Sequence, residues 1–278
     1  MRLGRFGIWS SVHLWPGKLE IGALLQEQGF GTLWLGGSPG GDLAVAEQLL
    51  DATETLTIAT GIVNVWADGP ESIAAAYNRI AKKHPDRFLL GVGIGHPQMT
   101  ATYEKPYQKL VSYLDALDAE GVPVEGRALA ALGPKVLQLS ADRTAGAHPY
   151  LTTPEHTRQA REILGPDRLL APEVMVVLET DPSKARAVAR QTLQFYLTLS
   201  NYTNNFRRLG FTDEDFADGG SDRLVDALVA YGEPEEVLAR AGEHHDAGAD
   251  HVTIQVLTGD NTVLPVDGFR ALGAVLPR

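Results

Sequence analysis

The residues most able to do chemistry cluster in a few short stretches. In Gly91-Val92-Gly93-Ile94-Gly95-His96, alternating glycines interrupt an apolar run and let a ligand approach the backbone closely. The same pattern suits a crowded interior in which small residues accommodate bulky neighbours. It is not a dinucleotide fingerprint, because no third glycine follows at the required spacing. His96 closes the run, and an imidazole there can act as proton donor or base near neutral pH. His13 offers the same chemistry after the first apolar run, and a hydrogen-bonded structural role is open to both.

Two further stretches share a different logic. Leu132-Gly133-Pro134-Lys135 and Thr152-Thr153-Pro154 each join an apolar run to a helical pattern, with proline at the first helical position. Free N–H groups at such helix starts, beside glycine or hydroxyl donors, attract anions, and Lys135 adds a charge. Two ordinary helix starts would look the same, but two on neighbouring loops point to a phosphate site. Thr60-Gly61-Ile62-Val63-Asn64 reads as a strand end with a bulge at the glycine or a capping asparagine. Trp9 and Trp66 suit a pocket that stacks a planar ring, whereas Trp34 suits core packing equally well. His244-His245 read as surface residues on a late helix. No His/Asp/Glu set has metal-ligand spacing, and no serine nucleophile elbow is present.

The elements that must position these residues form a repeated unit: a short apolar, β-branched run, a glycine or small polar residue, then a helical pattern. Copies fall at 6–9, 32–36, 56–63, 87–95, 128–133, 147–153, 174–178 and 251–257. Strand then helix, about eight times, predicts a closed parallel (β/α)8 barrel with its chemistry on the loops after the strands. Helices are predicted over 16–28, after the Asp42 cap, from Pro70 to His84, over 106–120, after Pro134 and after Pro154 with Thr153 as cap. The connection over about 181–250 reads as several helices broken near Gly210 and Gly219-Gly220. An excursion of that length covers the barrel mouth or carries an oligomer contact.

The chain has 278 residues, enough for one such barrel. A net charge of -11 argues against a nucleic-acid partner, which would want a basic face, and leaves room for an anionic small ligand held by local donors. Cysteine is absent, which removes disulfides, thiolate metal sites and cysteine nucleophiles. With no signal-peptide pattern and no apolar run long enough to span a bilayer, a cytoplasmic protein without a membrane partner is expected.

Gly29-Phe30 with Leu33-Trp34-Leu35, the Thr60–Asn64 stretch, 85–93, 131–135, Gly146-Ala147-His148-Pro149-Tyr150 and 154–157 together resemble the bacterial-luciferase-like superfamily, and more closely its coenzyme F420-dependent oxidoreductases. The resemblance spans nearly the whole chain. It implies one barrel domain over 1–278, with a helical insertion at about 181–250, and hydride transfer between F420 and a small organic substrate. An FMN-dependent monooxygenase and a non-catalytic cofactor-binding barrel are the alternatives. It implies a homodimer and a cis peptide at Gly61–Ile62 behind the deazaflavin ring. Trp9, Gly36, Gly61, Ile62, Asn64, Gly93 and Gly95 are expected at the cofactor ring, and Leu132, Gly133, Pro134, Thr152 and Thr153 at its phosphate. His96 takes the catalytic position, His13 and Trp66 the substrate pocket, and no metal is expected. One departure stands out: many relatives carry an acidic residue and a histidine after the second strand, where this chain has Gly36-Gly37-Ser38.

Overall fold

A computed structural model describes residues 1–101 and 103–277. Thr102, in the loop expected to shape the pocket, and Arg278 lie outside the described residues. The strands are β1 (Phe6–Ser11), β2 (Thr32–Gly36), β3 (Thr57–Gly61), β4 (Val63–Asn64), β5 (Phe88–Gly93), β6 (Arg127–Leu129), β7 (Gly146–Ala147), β8 (Leu169–Leu170), β9 (Glu173–Val177), β10 (Val229–Tyr231) and β11 (Val252–Val256). The helices are α1 (Glu20–Glu27), α2 (Ala44–Asp51), α3 (Pro70–Lys83), α4 (Pro106–Ala119), α5 (Pro134–Arg143), α6 (Pro154–Leu164), α7 (Pro182–Tyr196), α8 (Ser200–Arg208), α9 (Asp222–Leu228), α10 (Pro234–Asp246) and α11 (Val266–Val275). Among the described residues, no helix is long and apolar enough to cross a membrane.

Every strand pairing is parallel, in the order β10-β9-β11-β1-β2-β3-β5-β6-β7-β8, with β4 beside β5. The two ends of this path meet in one stretch of chain. Leu169–Leu170 pairs with β7, and Glu173–Val177 pairs with β11. Across the break the Ala171 N–H donates to the Ala147 carbonyl at 2.9 Å and the Thr253 N–H to the Pro172 carbonyl at 3.0 Å. Pro172 has no N–H, so the strand is interrupted without opening the ring. The predicted (β/α)8 barrel is therefore present, with β10 added against β9.

Several predicted runs are shorter than expected. The fifth ends at Leu129, because residues 130–133 leave the ladder to enter α5. The sixth ends at Ala147, because Pro149 cannot donate and Leu151 adopts φ 54°. The first helix starts at Glu20, after a turn in which Gly17 has φ 74°. His244 is a correction: it is buried, not a surface residue, and its Nδ1 is bonded to the Thr157 hydroxyl at 2.7 Å.

Apolar side chains form an outer layer between the strands and the helices, and a separate inner cluster of Trp9, Trp34, Ala59, Leu89, Ala128 and Ala171 fills the barrel. The inner wall is built of small residues because two indoles occupy the space. Trp34 stacks on His148 at 4.0 Å and donates to His251 at 3.1 Å. Close strand contact imposes a further demand: a Cβ on Gly91 would lie 1.8 Å from the Thr60 carbonyl oxygen. Gly91→Ala therefore costs about 3 kcal/mol or more, because backbone rather than a flexible side chain must move. Gly242→Ala, in α10 with nothing within 4 Å of the new Cβ, stabilises by about 0.5–1 kcal/mol. Urea denaturation midpoints of the two variants measure both effects.

Candidate functional site

At the C-terminal end of the strands the chain places two distinct groups of polar side chains. The first lies at the starts of α5 and α6. Gly133 is the N-cap of α5 and offers no side-chain cap, while Thr153 caps α6 by accepting from the His156 N–H at 3.3 Å. The two helix starts are tied together, because His156 Nε2–H donates to the Leu132 carbonyl at 2.8 Å. Helix α8, from the long connection, packs over them. Arg208 Nη2 would stand 3.8 Å from a Cβ on Gly133, and it donates to Asn205 Oδ1 at 3.0 Å. None of the described salt bridges uses Arg208.

Three side chains in this group are almost fully buried yet carry an unpaired polar atom: Thr152 Oγ1, His156 Nδ1 and Asn205 Nδ2. Buried polar atoms are rarely left without a partner. The Thr152 hydroxyl and the Asn205 amide, with two helix N-termini and a guanidinium that makes no ion pair among the described residues, form a cradle for an anion, while neutral His156 presents Nδ1 as an acceptor. Burial lowers the His156 pKa, and an anion beside it would favour the imidazolium. The sequence reading names Leu132, Gly133, Pro134, Thr152 and Thr153 at this place; Asn205 and Arg208 stand beside them in the structure and carry no local sequence signal. Lys135 is exposed, and the cation beside Gly133 is Arg208.

The second group surrounds the break between β3 and β4. Gly61–Ile62 is a cis peptide bond, as the resemblance implied. A Cβ on Gly61 would meet Trp9 Nε1 at 2.9 Å and His148 Nε2 at 3.3 Å. Both nitrogens are buried and unpaired. His148 donates through Nδ1 to the Ala171 carbonyl at 2.7 Å, so its Nε2 is an acceptor, beside the Trp9 donor. The other ring-site glycines have packing reasons of their own. The Trp9 indole fills the space beside Gly36, Ile62 fills that beside Gly93, and Asn64 crowds Gly95, which has φ 63°.

His96 is half-buried between β5 and α8. Its Nδ1 pairs with Asn201 Oδ1 at 3.1 Å, its ring meets Tyr202 at 5.6 Å, and burial lowers its pKa. With Nδ1–H donating to Asn201, Nε2 is the free acceptor, so neutral His96 is a base. Asn64 and Trp66 brace the turn: Asn64 Oδ1 accepts from the Trp66 N–H, and Trp66 Nε1–H donates to the Ile94 carbonyl. His13 is exposed on the rim beside Gly37.

Across the mouth runs an aromatic wall of Trp9, Tyr150, Tyr196 and Tyr202, with successive rings 5.1–5.3 Å apart. Tyr150 and Tyr196 share a hydroxyl hydrogen bond of 2.8 Å, and Tyr150 also bonds Gln255 Oε1 at 2.7 Å. On the far side of Trp9 opens a cavity of about 370 Å³. Of the expected site residues, Trp9 alone lines it; Trp66 and His13 do not.

Glu173 faces the barrel interior. Its Oε2 accepts from the Leu151 N–H at 2.9 Å, its Oε1 is unpaired, and burial pushes its pKa up to about 8. Burial drives the histidines the other way: His148 and His251 to about 4, and His244 to about 3. The linkage signs are opposite. The histidines bind protons more readily when unfolded, so their stability is full above about pH 6.5 and is lost as pH falls toward 4. Glu173 holds its proton more tightly when folded, so stability falls as pH rises toward about 8. Thermal unfolding should therefore show a maximum near pH 6.5 and a loss of up to ~2 kcal/mol by pH 8. Glu173→Gln abolishes the alkaline loss and leaves the acid limb in place.

A family model described as luciferase-like monooxygenase matches residues 15–251. A comparison with curated proteins finds no match. Among solved structures, the chain is similar to an F420-dependent secondary alcohol dehydrogenase in complex with an F420-acetone adduct, with a TM-score of 0.76, 13% identity and 99% of each chain covered. It is also similar to the coenzyme F420-dependent tetrahydromethanopterin reductase from Methanopyrus kandleri (TM-score 0.72, 15% identity, 98% of each chain). A third is the oxygenating constituent of 3,6-diketocamphane monooxygenase from Pseudomonas putida in complex with FMN (TM-score 0.66, 13% identity, 98% of this chain and 96% of that one). At these identities the likeness is one of fold. With the family match covering most of its length and its parallel barrel in place, the chain belongs to the luciferase-like monooxygenase family.

Proposed function

We propose that this chain is an oxidoreductase that moves a hydride between coenzyme F420 and an organic substrate. The observation that carries the reading is the anion cradle, in which the unpaired Thr152 hydroxyl and Asn205 amide meet two helix starts and Arg208. That donor set fits a phosphate. The polar pair on Gly61, Trp9 Nε1 and His148 Nε2, offers one donor and one acceptor to a heteroaromatic edge.

In this reading Gly133, Thr152, Thr153 and Arg208 hold the phosphate, and Gly61, Ile62 and Gly93 back the ring. When bound, the deazaflavin supplies or accepts the hydride. The protein orients the ring and keeps water out by closing the mouth with Tyr196, Tyr202 and α8. His96 Nε2 takes a proton from the substrate in the oxidising direction and returns it in the other, while Asn201 fixes the tautomer. His96 thereby supplies a proton transfer for which Gly36-Gly37-Ser38, at the end of β2, offers no acidic residue or histidine.

Titration with F420 and with FMN, followed by cofactor fluorescence, tests the reading. F420 binds more tightly than FMN, and Arg208→Ala weakens F420 by about tenfold or more, the worth of a charge-assisted hydrogen bond. Gly133→Leu weakens it by blocking the backbone approach. Preference for FMN, with oxygen consumed by the reduced flavin, would move the assignment to a monooxygenase. Binding of neither cofactor would overturn it.

A further inference from the structure

The cavity beyond Trp9 has a chemical character of its own. It lies between the ends of β1 and β11, α7 and the loop that leads into α11. Its volume of about 370 Å³ falls in the ~300–1,000 Å³ range of small-molecule sites. It shares no lining residue with the anion cradle.

Its walls combine apolar side chains with uncharged polar ones such as Ser10, Ser11, Thr192 and Asn261, and carry one charge among the described residues. Trp9, Leu14, Phe195 and Leu257 give it apolar faces, and the only charged side chain lining it is Asp260. That carboxylate accepts from the Thr262 N–H at 2.9 Å and the Thr262 hydroxyl at 2.6 Å, and these bonds hold its pKa below the usual range. It stays ionised and repels an anion. Two hydrophobic side chains at the lip, Phe195 and Val263, are 46% and 48% exposed. They are two of the four large hydrophobic residues exposed among the described residues, the others being Met1 and Tyr107. Exposed apolar residues gathered at one cavity mark a contact for an apolar body.

One polar group is fixed in place. Gln255 Oε1 is taken by the Tyr150 hydroxyl, which Tyr196 also engages. The amide NH₂ is thus the end Gln255 has to offer, a donor suited to a carbonyl, ether or hydroxyl oxygen. Because the Tyr150–Tyr196 pair holds the amide, little freedom is lost when it binds.

We propose that this cavity binds an uncharged organic molecule with an apolar body and an acceptor oxygen, the oxygen held by Gln255. It is a binding site in its own right and stands on the cavity alone, since His96, Gly61 and Ile62 do not line it. The molecule would lie one indole away from Gly61, since Trp9 both lines the cavity and packs on that glycine.

Equilibrium dialysis of the full chain against three naphthalenes of one shape tests the inference. 2-Acetylnaphthalene carries the acceptor oxygen, 2-ethylnaphthalene lacks it and 2-naphthoate is an anion. The ketone binds about tenfold or more tightly than the hydrocarbon, the worth of one good hydrogen bond, and more tightly than the anion, which meets the Asp260 carboxylate. Gln255→Leu removes the preference for the ketone over the hydrocarbon. Thr192→Trp, which builds bulk into the cavity from α7, abolishes binding of both and serves if the Gln255 variant does not fold. Naphthoate binding as tightly as the ketone, or ketone binding unchanged by Thr192→Trp, would overturn the proposal. The same preparations are titrated with F420. Ketone binding without F420 binding supports the cavity and removes the hydride-transfer reading, whereas F420 binding without ketone binding does the reverse.

Discussion

The indole of Trp9 lies against two Cα atoms that carry no side chain, and much of the barrel mouth depends on that contact. A Cβ on Gly36 would fall 1.8 Å from Trp9 Cζ2, and one on Gly61 would fall 2.9 Å from its Nε1. Trp9 can therefore sit inside the ring only because the ends of β2 and β3 are bare. Once there, it stacks toward Tyr150, which ties Tyr196 and Gln255 into place. One packing contact thereby separates the helix starts of α5 and α6 from the cavity beside α7.

That constraint changes the meaning of several glycines. Alternating glycines at the end of the fourth predicted strand suggest an open approach for a ligand. In the fold, Gly91 answers to the Thr60 carbonyl and Gly93 to the Ile62 side chain. The backbone is bare there because neighbouring strands and side chains need the room. The Ile62 side chain occupies the space that the missing Gly93 side chain leaves.

Helix α8 supplies what the barrel loops lack. Ser200 and Asn201 reach Gln98 and His96 beside β5, Tyr202 closes the aromatic wall, and Asn205 and Arg208 complete the anion cradle beside β6. A single nine-residue helix thus spans both ends of the proposed cofactor site. Its buried face of Tyr202, Thr203, Asn205 and Phe206 mixes polar and apolar residues, as a helix does when it covers a polar site.

The sequence by itself determined the barrel, because strand and helix periodicities, proline at helix starts and glycine at turns are local signals that repeat. It also marked Gly133, Thr152 and Thr153, since a helix start needs only its own neighbours to be recognised. Gly61–Ile62 and His96 came through as strand-end residues for the same reason. Tertiary structure alone decided which cation faces Gly133. Arg208 lies 75 positions away in sequence (208 − 133) and comes from a helix whose docking no local pattern encodes. Likewise, the burial of His244 rests on Thr157, and the cavity's one fixed donor on Tyr150 and Gln255. These are long-range pairs, fixed by how helices and loops close over the strand ends, and periodicity carries no information about them.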